Sequence, residues 1–327
     1  MNALDRIFPS VEGLAPDSEL VLKGLRVGPI VAALVAVFFI SAVHAAPARS
    51  PHISKKTRVM GMENSQALLT APDGKVPYQK WKLPEWKHKK AYVWVVGNHD
   101  FRKHDSVDLI LYFHGMHSKD YYQAFQATLD KLAKKRPGKP FLFVGFVDTP
   151  FRGSGYRKTH RWKTLVHASG ERPKRLFTIV NRVYKAFKKQ FPHVKKDKTR
   201  IVLTAFSGGG RVLRSVGKWL AQSPKDDFFA KAFRSHLTKI VYFDCWFNPT
   251  DVDTVHQLLQ SNPSMKIVGT VHMGRPKKHA KMLADKFKMK RVRRGKPSVG
   301  LGGRFVIFRD KSHWDAMISR LEQALDV

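Results

Sequence analysis

The 327-residue chain carries 60 Lys and Arg against 25 Asp and Glu, a formal charge of +35 and a pI of about 10.4. Its 43% hydrophobic content and mean hydropathy of -0.34 are those of a folded soluble chain, which excludes general disorder and a protein of many membrane spans. A single cysteine, Cys245, excludes an intramolecular disulfide framework, and the excess of positive charge suits a polyanionic partner such as an acidic cell-envelope polymer or an anionic lipid surface.

Residues 27–43, "VGPIVAALVAVFFISAV", are uninterrupted by charge and follow Lys23 and Arg26, and "HAAPARS" after them puts Val43 and Ala45 at positions suited to signal cleavage. Residues 1–45 therefore read as a signal peptide, with a retained membrane anchor over 27–43 as the alternative. Export is expected in either case, to the periplasm or beyond, or to the inner membrane if the anchor stays. Residues 46–90, rich in Pro and Lys with scattered aromatics, read as an irregular arm or linker, and residues 91–327 as the folded body.

From Ala91 onward, short β-branched and aromatic runs alternate with amphipathic stretches. "AYVWVVG", "DLILYFH", "PFLFVGFVD", "RIVLTAF", "KIVYFD", "KIVGTVH" and "RFVIFRD" are strands by length and composition. Helical spacing places Tyr122, Phe125, Leu129 and Leu132 on one face. Leu176, Val180, Val183, Tyr184 and Phe187 form a second face, and Val212, Leu213, Val216 and Leu220 a third. Further helices are expected around Leu283 and Phe287 and from Trp314 to Leu321. "NHDFRKHD", 98–105, reads as a solvated hairpin turn, and "VGLGGRF", 299–305, as a loop entering a strand. Continuous apolar strands separated by helices predict an α/β fold, a mostly parallel central sheet with helices on both faces.

In such a sheet, functional groups gather beyond the carboxyl ends of the strands. His114 and Gly115 stand there after "LILYF", Ser207 after "IVLTAF", Asp244 after "KIVYF" and His313 just past "RFVIFRD". A serine hydroxyl needs an imidazole to take its proton, and an imidazole needs a carboxylate to fix its tautomer, so this set suits nucleophilic catalysis. Asp251 and Asp253 are the alternative carboxylates if "CWFNPTDVD" folds as a loop over the site. The loop after Asp148 carries Arg152, Tyr156, Arg157 and Trp162, suited with His114 to gripping an anionic or sugar-rich substrate. The basic stretch Lys277 to Lys296 suits electrostatic docking to a polyanion.

"FHGMHS" at 113–118, "AFSGG" at 205–209, "FDCW" at 243–246 and "SHW" at 312–314 resemble the motifs of the α/β-hydrolase fold and its serine esterases and lipases, over roughly 91–327. The resemblance departs at Ala205, where the nucleophile motif usually has glycine, and in the acid, which stands one strand earlier than is usual. It implies Ser207 as nucleophile, His313 as base, Asp244 as orienting acid, and backbone N–H groups of Gly208 and of Gly115 or Met116 as oxyanion donors. Gly209 then permits the close strand-to-helix turn, and Gly210 is left without a role. The implied activity is hydrolysis of an ester, less readily an amide, through an acyl-enzyme, with no cofactor and no metal. The competing class is a non-catalytic polyanion-binding protein on the same scaffold; nucleic acid is the less expected polyanion, because of the export signal.

Overall fold

The computed structural model describes residues 68–82, 91–115, 121–147, 162, 165–166, 171–246, 248–272, 274–289, 296–313 and 315–326. The N-terminal leader, Met116, Arg152, Tyr156 and Arg157 lie outside the described residues.

Nine strands form one sheet in the order β1-β2-β4-β3-β5-β6-β7-β9-β8. They are β1 (Val76–Trp81), β2 (Tyr92–Gly97), β3 (Val107–Phe113), β4 (Phe141–Val147), β5 (Thr199–Phe206), β6 (Leu237–Phe243), β7 (Lys266–Val271), β8 (Ser298–Gly300) and β9 (Phe305–Arg309). From β4 through β3, β5, β6 and β7 to β9 every pairing is parallel. The antiparallel pairs, β1 with β2, β2 with β4 and β8 with β9, sit at the two margins. The seven strands expected from sequence are all present. Their apolar runs follow from burial on both faces, with all seven residues of β4 buried.

The helices are α1 (Tyr122–Lys135), α2 (Lys174–Gln190), α3 (Gly210–Gln222), α4 (Phe228–His236), α5 (Pro249–Ser261), α6 (Gly274–Lys286), α7 (Asp315–Ile318) and α8 (Leu321–Asp326). Two apolar clusters fill the space between sheet and helices. The larger joins α2 to α6 with residues such as Leu109, Leu203 and Ile240, and the smaller joins α1 and the C-terminal helices with Ile110, Val202 and Val241. Adjacent residues of one strand thus serve opposite faces, as the pleat dictates.

Four expectations need correction. The stretch read as an irregular arm supplies β1, whose Val76, Gln79 and Trp81 are buried while Pro77 and Lys80 face solvent. The run 299–305 contributes the short edge strand β8 before its turn. Residues 98–105 are not a hairpin, because β4 lies between β2 and β3 in the sheet. The connection is a crossover whose one-turn helix buries Phe101 against Phe187 and Phe191, at ring separations of 5.0 and 5.3 Å. Finally, "NPTDVD" starts helix α5 instead of looping over the sheet. Asn248 accepts from the Thr250 N–H at 3.1 Å, Asp251 accepts from the Asn248 N–H at 3.0 Å, and Pro249 occupies the first turn, where its missing N–H costs nothing.

Candidate active site

Three turns on the carboxyl rim of the parallel strands carry Ser207, Asp244 and His313. The first follows β5, where the chain passes from extended Phe206 directly into a helical turn at Ser207–Gly209 and then α3. Ser207 sits at φ 48°, a left-handed conformation that is costly for a side-chain-bearing residue, and it is buried to 8% exposure. Two glycines make the turn fit. A Cβ on Gly209 would lie 2.2 Å from the Phe113 carbonyl oxygen, and one on Gly210 would lie 2.7 Å from that of Cys245. The residue left without a role by sequence therefore lets α3 start against the turn after β6. Gly115, following β3, lies beside the serine, since a Cβ there would be 3.0 Å from Ser207 Cβ. Ser207 is thus held against the β3 turn on one side, with the first N–H groups of a helix following it.

The second turn follows β6. Asp244 also has a left-handed backbone, φ 47°, and is 4% exposed. Its N–H donates to the Thr270 carbonyl at 2.8 Å, and its Oδ1 accepts from the His272 N–H at 3.0 Å. Both main chain and carboxylate are therefore pinned to the end of β7. This orientation leaves Oδ2 facing the third turn, where His313 Nδ1–H donates to it at 2.5 Å.

His313 lies just past β9. Asp310 ties that segment down through its N–H to the Val271 carbonyl at 2.8 Å, and through its Oδ1, which accepts from Arg320 Nε at 2.6 Å. The imidazole lies 4.4 Å from the Phe206 ring, centroid to centroid, at an interplanar angle of 37°. With Nδ1 protonated toward a carboxylate, Nε2 keeps its lone pair and can accept a proton.

The alternative carboxylates are engaged elsewhere. Asp251 is buried and forms a two-point ion pair with Arg214, with Nη2 to Oδ2 at 3.0 Å, while also capping α5. Asp253 is exposed and pairs with Lys286 at 2.7 Å. Two residues assigned to substrate contact are also redirected. Trp162 is 3% exposed in the larger core cluster, its ring edge-on to Phe113 at 5.7 Å and tilted against His114 at 5.0 Å. His114 is fully buried, its Nδ1–H donating to the Gly115 carbonyl. Both pack the base of the β3 turn and present no surface to a ligand. The thiol of Cys245 is buried, which pushes its pKa well up and keeps it protonated.

Two contributors were not visible in sequence. His272 acts through its backbone N–H, which every residue but proline carries. Phe206 is one apolar residue in a strand of apolar residues, and nothing marks it as the one against the imidazole.

The order of the sheet, antiparallel β2 beside a parallel run, and the left-handed serine turn after β5 complete the pattern that the motifs implied. The fold is that of the α/β-hydrolases. Among solved structures the chain is similar to the enterobactin esterase of Shigella flexneri, at 12% identity and a TM-score of 0.47, over 79% of this chain and 60% of that one. It is similar to the feruloyl esterase module from Clostridium thermocellum, at 11% identity and a TM-score of 0.44, over 79% and 89%. A third is the S-formylglutathione hydrolase of Agrobacterium tumefaciens, at 11% identity and a TM-score of 0.39, over 79% and 95%. These similarities are too distant to carry residue roles or substrates to this chain. No family model matches the sequence, and no curated protein matches it.

Proposed function

We propose that the protein is an exported serine hydrolase that cleaves an ester bond through an acyl-enzyme. The observation that carries this reading is the bond from His313 Nδ1 to Asp244 Oδ2, on the rim where Ser207 occupies its strained turn. In the proposed reaction His313 Nε2 takes the Ser207 hydroxyl proton as Oγ attacks the ester carbonyl carbon. Asp244 holds the resulting imidazolium, and Nε2–H then delivers that proton to the departing alkoxide as the carbon–oxygen bond breaks. Water attacks the acyl group in the second half, with His313 again taking and returning the proton. The N–H groups of Gly208 and of Gly115 or Met116 would receive the oxyanion. The mechanism calls for no cofactor.

The substrate is proposed to lie in or near an anionic envelope polymer or lipid. Arg275, Lys277, Lys278 and Lys281 on the exposed side of α6 support that reading, as does the net charge. Arg152, Tyr156 and Arg157 are proposed to grip that substrate through charge and ring contacts.

Hydrolysis of p-nitrophenyl butyrate, compared between wild type and Ser207→Ala, tests the proposal. A loss of roughly 10³–10⁵-fold in kcat/KM is expected. Equal rates would remove Ser207 from the mechanism and leave the polyanion-binding scaffold as the better account.

A further inference from the structure

The opposite rim of the sheet carries a cavity of about 340 Å³, between the second half of α5, the end of α6 and the turn that precedes β9. It is unrelated to the three turns around Ser207, which follow the carboxyl ends of β5, β6 and β9, whereas Arg304 immediately precedes the amino end of β9. Its apolar lining is Leu259, Phe287 and Leu301, with the His256 ring stacked on Phe287 at 5.3 Å and 29°.

The charged lining is Lys286, Lys288 and Arg304. Lys286 is already paired with Asp253. Arg304 spends Nη1 on the carbonyl oxygens of Leu259 and Asn262, at 2.8 and 3.3 Å, while its Nε and Nη2 have no partner among the described residues. Nor does Lys288 have an ion-pair partner among them. Two cations without an ion-pair partner among the described residues thus line a mixed pocket of ordinary ligand size, whose Leu259, Phe287 and Leu301 form an apolar wall and whose remaining lining is His256, Gln260 and Lys286.

The backbone adds an independent sign. Four residues other than glycine have left-handed dihedrals in the described chain: Ser207, Asp244, Lys288 and Leu301. The first two build the candidate active site, and the last two both line this cavity. Lys288 closes α6, with Met289 N–H donating to the Ala284 carbonyl at 2.8 Å, a helix ending that glycine makes without strain. Leu301 is followed directly by Gly302 and Gly303, which take positive φ without that cost. Side chains are kept at the two strained positions, where they supply one charge and one apolar wall.

We infer that this cavity binds a small amphiphilic anion, an anionic head group on a short apolar body. Calorimetric titration of the full chain with octyl phosphate at low salt tests the inference, with octyl glucoside as the neutral match. Saturable binding of octyl phosphate is expected. Lys288→Gly and Leu301→Gly should each weaken it by about fivefold or more, as loss of a rim charge or an apolar contact implies. Both variants relieve backbone strain, so neither should lower Tm, and a merely structural role would leave binding unmoved. Ser207→Ala should bind as wild type, which separates this site from the proposed hydrolysis.

Co-sedimentation with phosphatidylglycerol vesicles distinguishes the source of the head group. Retention that falls in both glycine variants assigns a lipid, and binding of octyl phosphate alone assigns a free amphiphile. The inference is overturned if neither probe binds saturably, if both variants bind like wild type, or if octyl glucoside binds as tightly as octyl phosphate.

Discussion

Two buried carboxylates seven positions apart in the chain are used by the fold in opposite ways. Asp244, in the turn after β6, has one oxygen pinned by a main-chain N–H and the other bonded to an imidazole that is 36% exposed. Asp251, at the start of α5, has both oxygens closed by the Arg214 guanidinium and the helix cap. Burial and charge are alike, and the partner decides the use. A carboxylate bonded to a titratable ring can stabilise a charge that appears and disappears, whereas one clamped by a permanent cation only holds structure.

Asp244→Asn should break this contrast most severely. The amide can no longer hold the imidazole in the Nδ1–H tautomer or stabilise its cation, so kcat for ester hydrolysis should fall by about 10⁴-fold. Urea unfolding should show far less effect than the rate. Asp251→Asn should do the reverse, because it strands a mostly buried guanidinium and weakens a cap. Its cost should be about 3 kcal/mol in urea unfolding, with kcat per folded molecule near wild type. Activity lost in Asp251→Asn but kept in Asp244→Asn would exchange the roles of the two residues.

His99 extends the contrast to a buried group whose ring has an unmatched atom. Its Nε2 has no hydrogen-bond partner among the described residues, and burial lowers its pKa to about 4 from an ordinary 6.5. The unfolded chain therefore binds a proton first as pH falls below 6.5, and folding stability drops until the folded ring also protonates near pH 4. The loss across that window should be at most about 3 kcal/mol. His99→Phe should flatten this part of the curve relative to wild type, and an unchanged slope would assign acid sensitivity to other groups.

The sequence made some of these features legible and hid others for physical reasons. Seven strands are recognisable because burial on both faces leaves unbroken apolar runs. Marginal β1 contains Pro77, Gln79 and Lys80, and β8 is only three residues long, so neither carries that mark. Ser207, Asp244 and His313 stand out because strand ends can be read from composition. The substrate-loop reading of Trp162 grouped it with its basic sequence neighbours, whereas its indole was available to the core against Phe113. Helix α5 was signalled by Asn248, Pro249 and Asp251, but two acidic residues in one short stretch also fit a catalytic alternative, whereas Asp251 serves the cap and Asp253 pairs with Lys286. The support from His272 was beyond reach, since pairing between the ends of β6 and β7 is a property of the folded sheet alone.

The proposed hydrolysis requires Ser207 to be a nucleophile activated through His313 and Asp244. Intact-mass analysis after reaction with a fluorophosphonate tests it most directly. The account predicts a single adduct, mapped to the Ser207 peptide, formed at wild-type rate in Asp251→Asn, strongly slowed in Asp244→Asn and absent in Ser207→Ala. An adduct of equal yield in Ser207→Ala, or equal rates in wild type and Asp244→Asn, would contradict it.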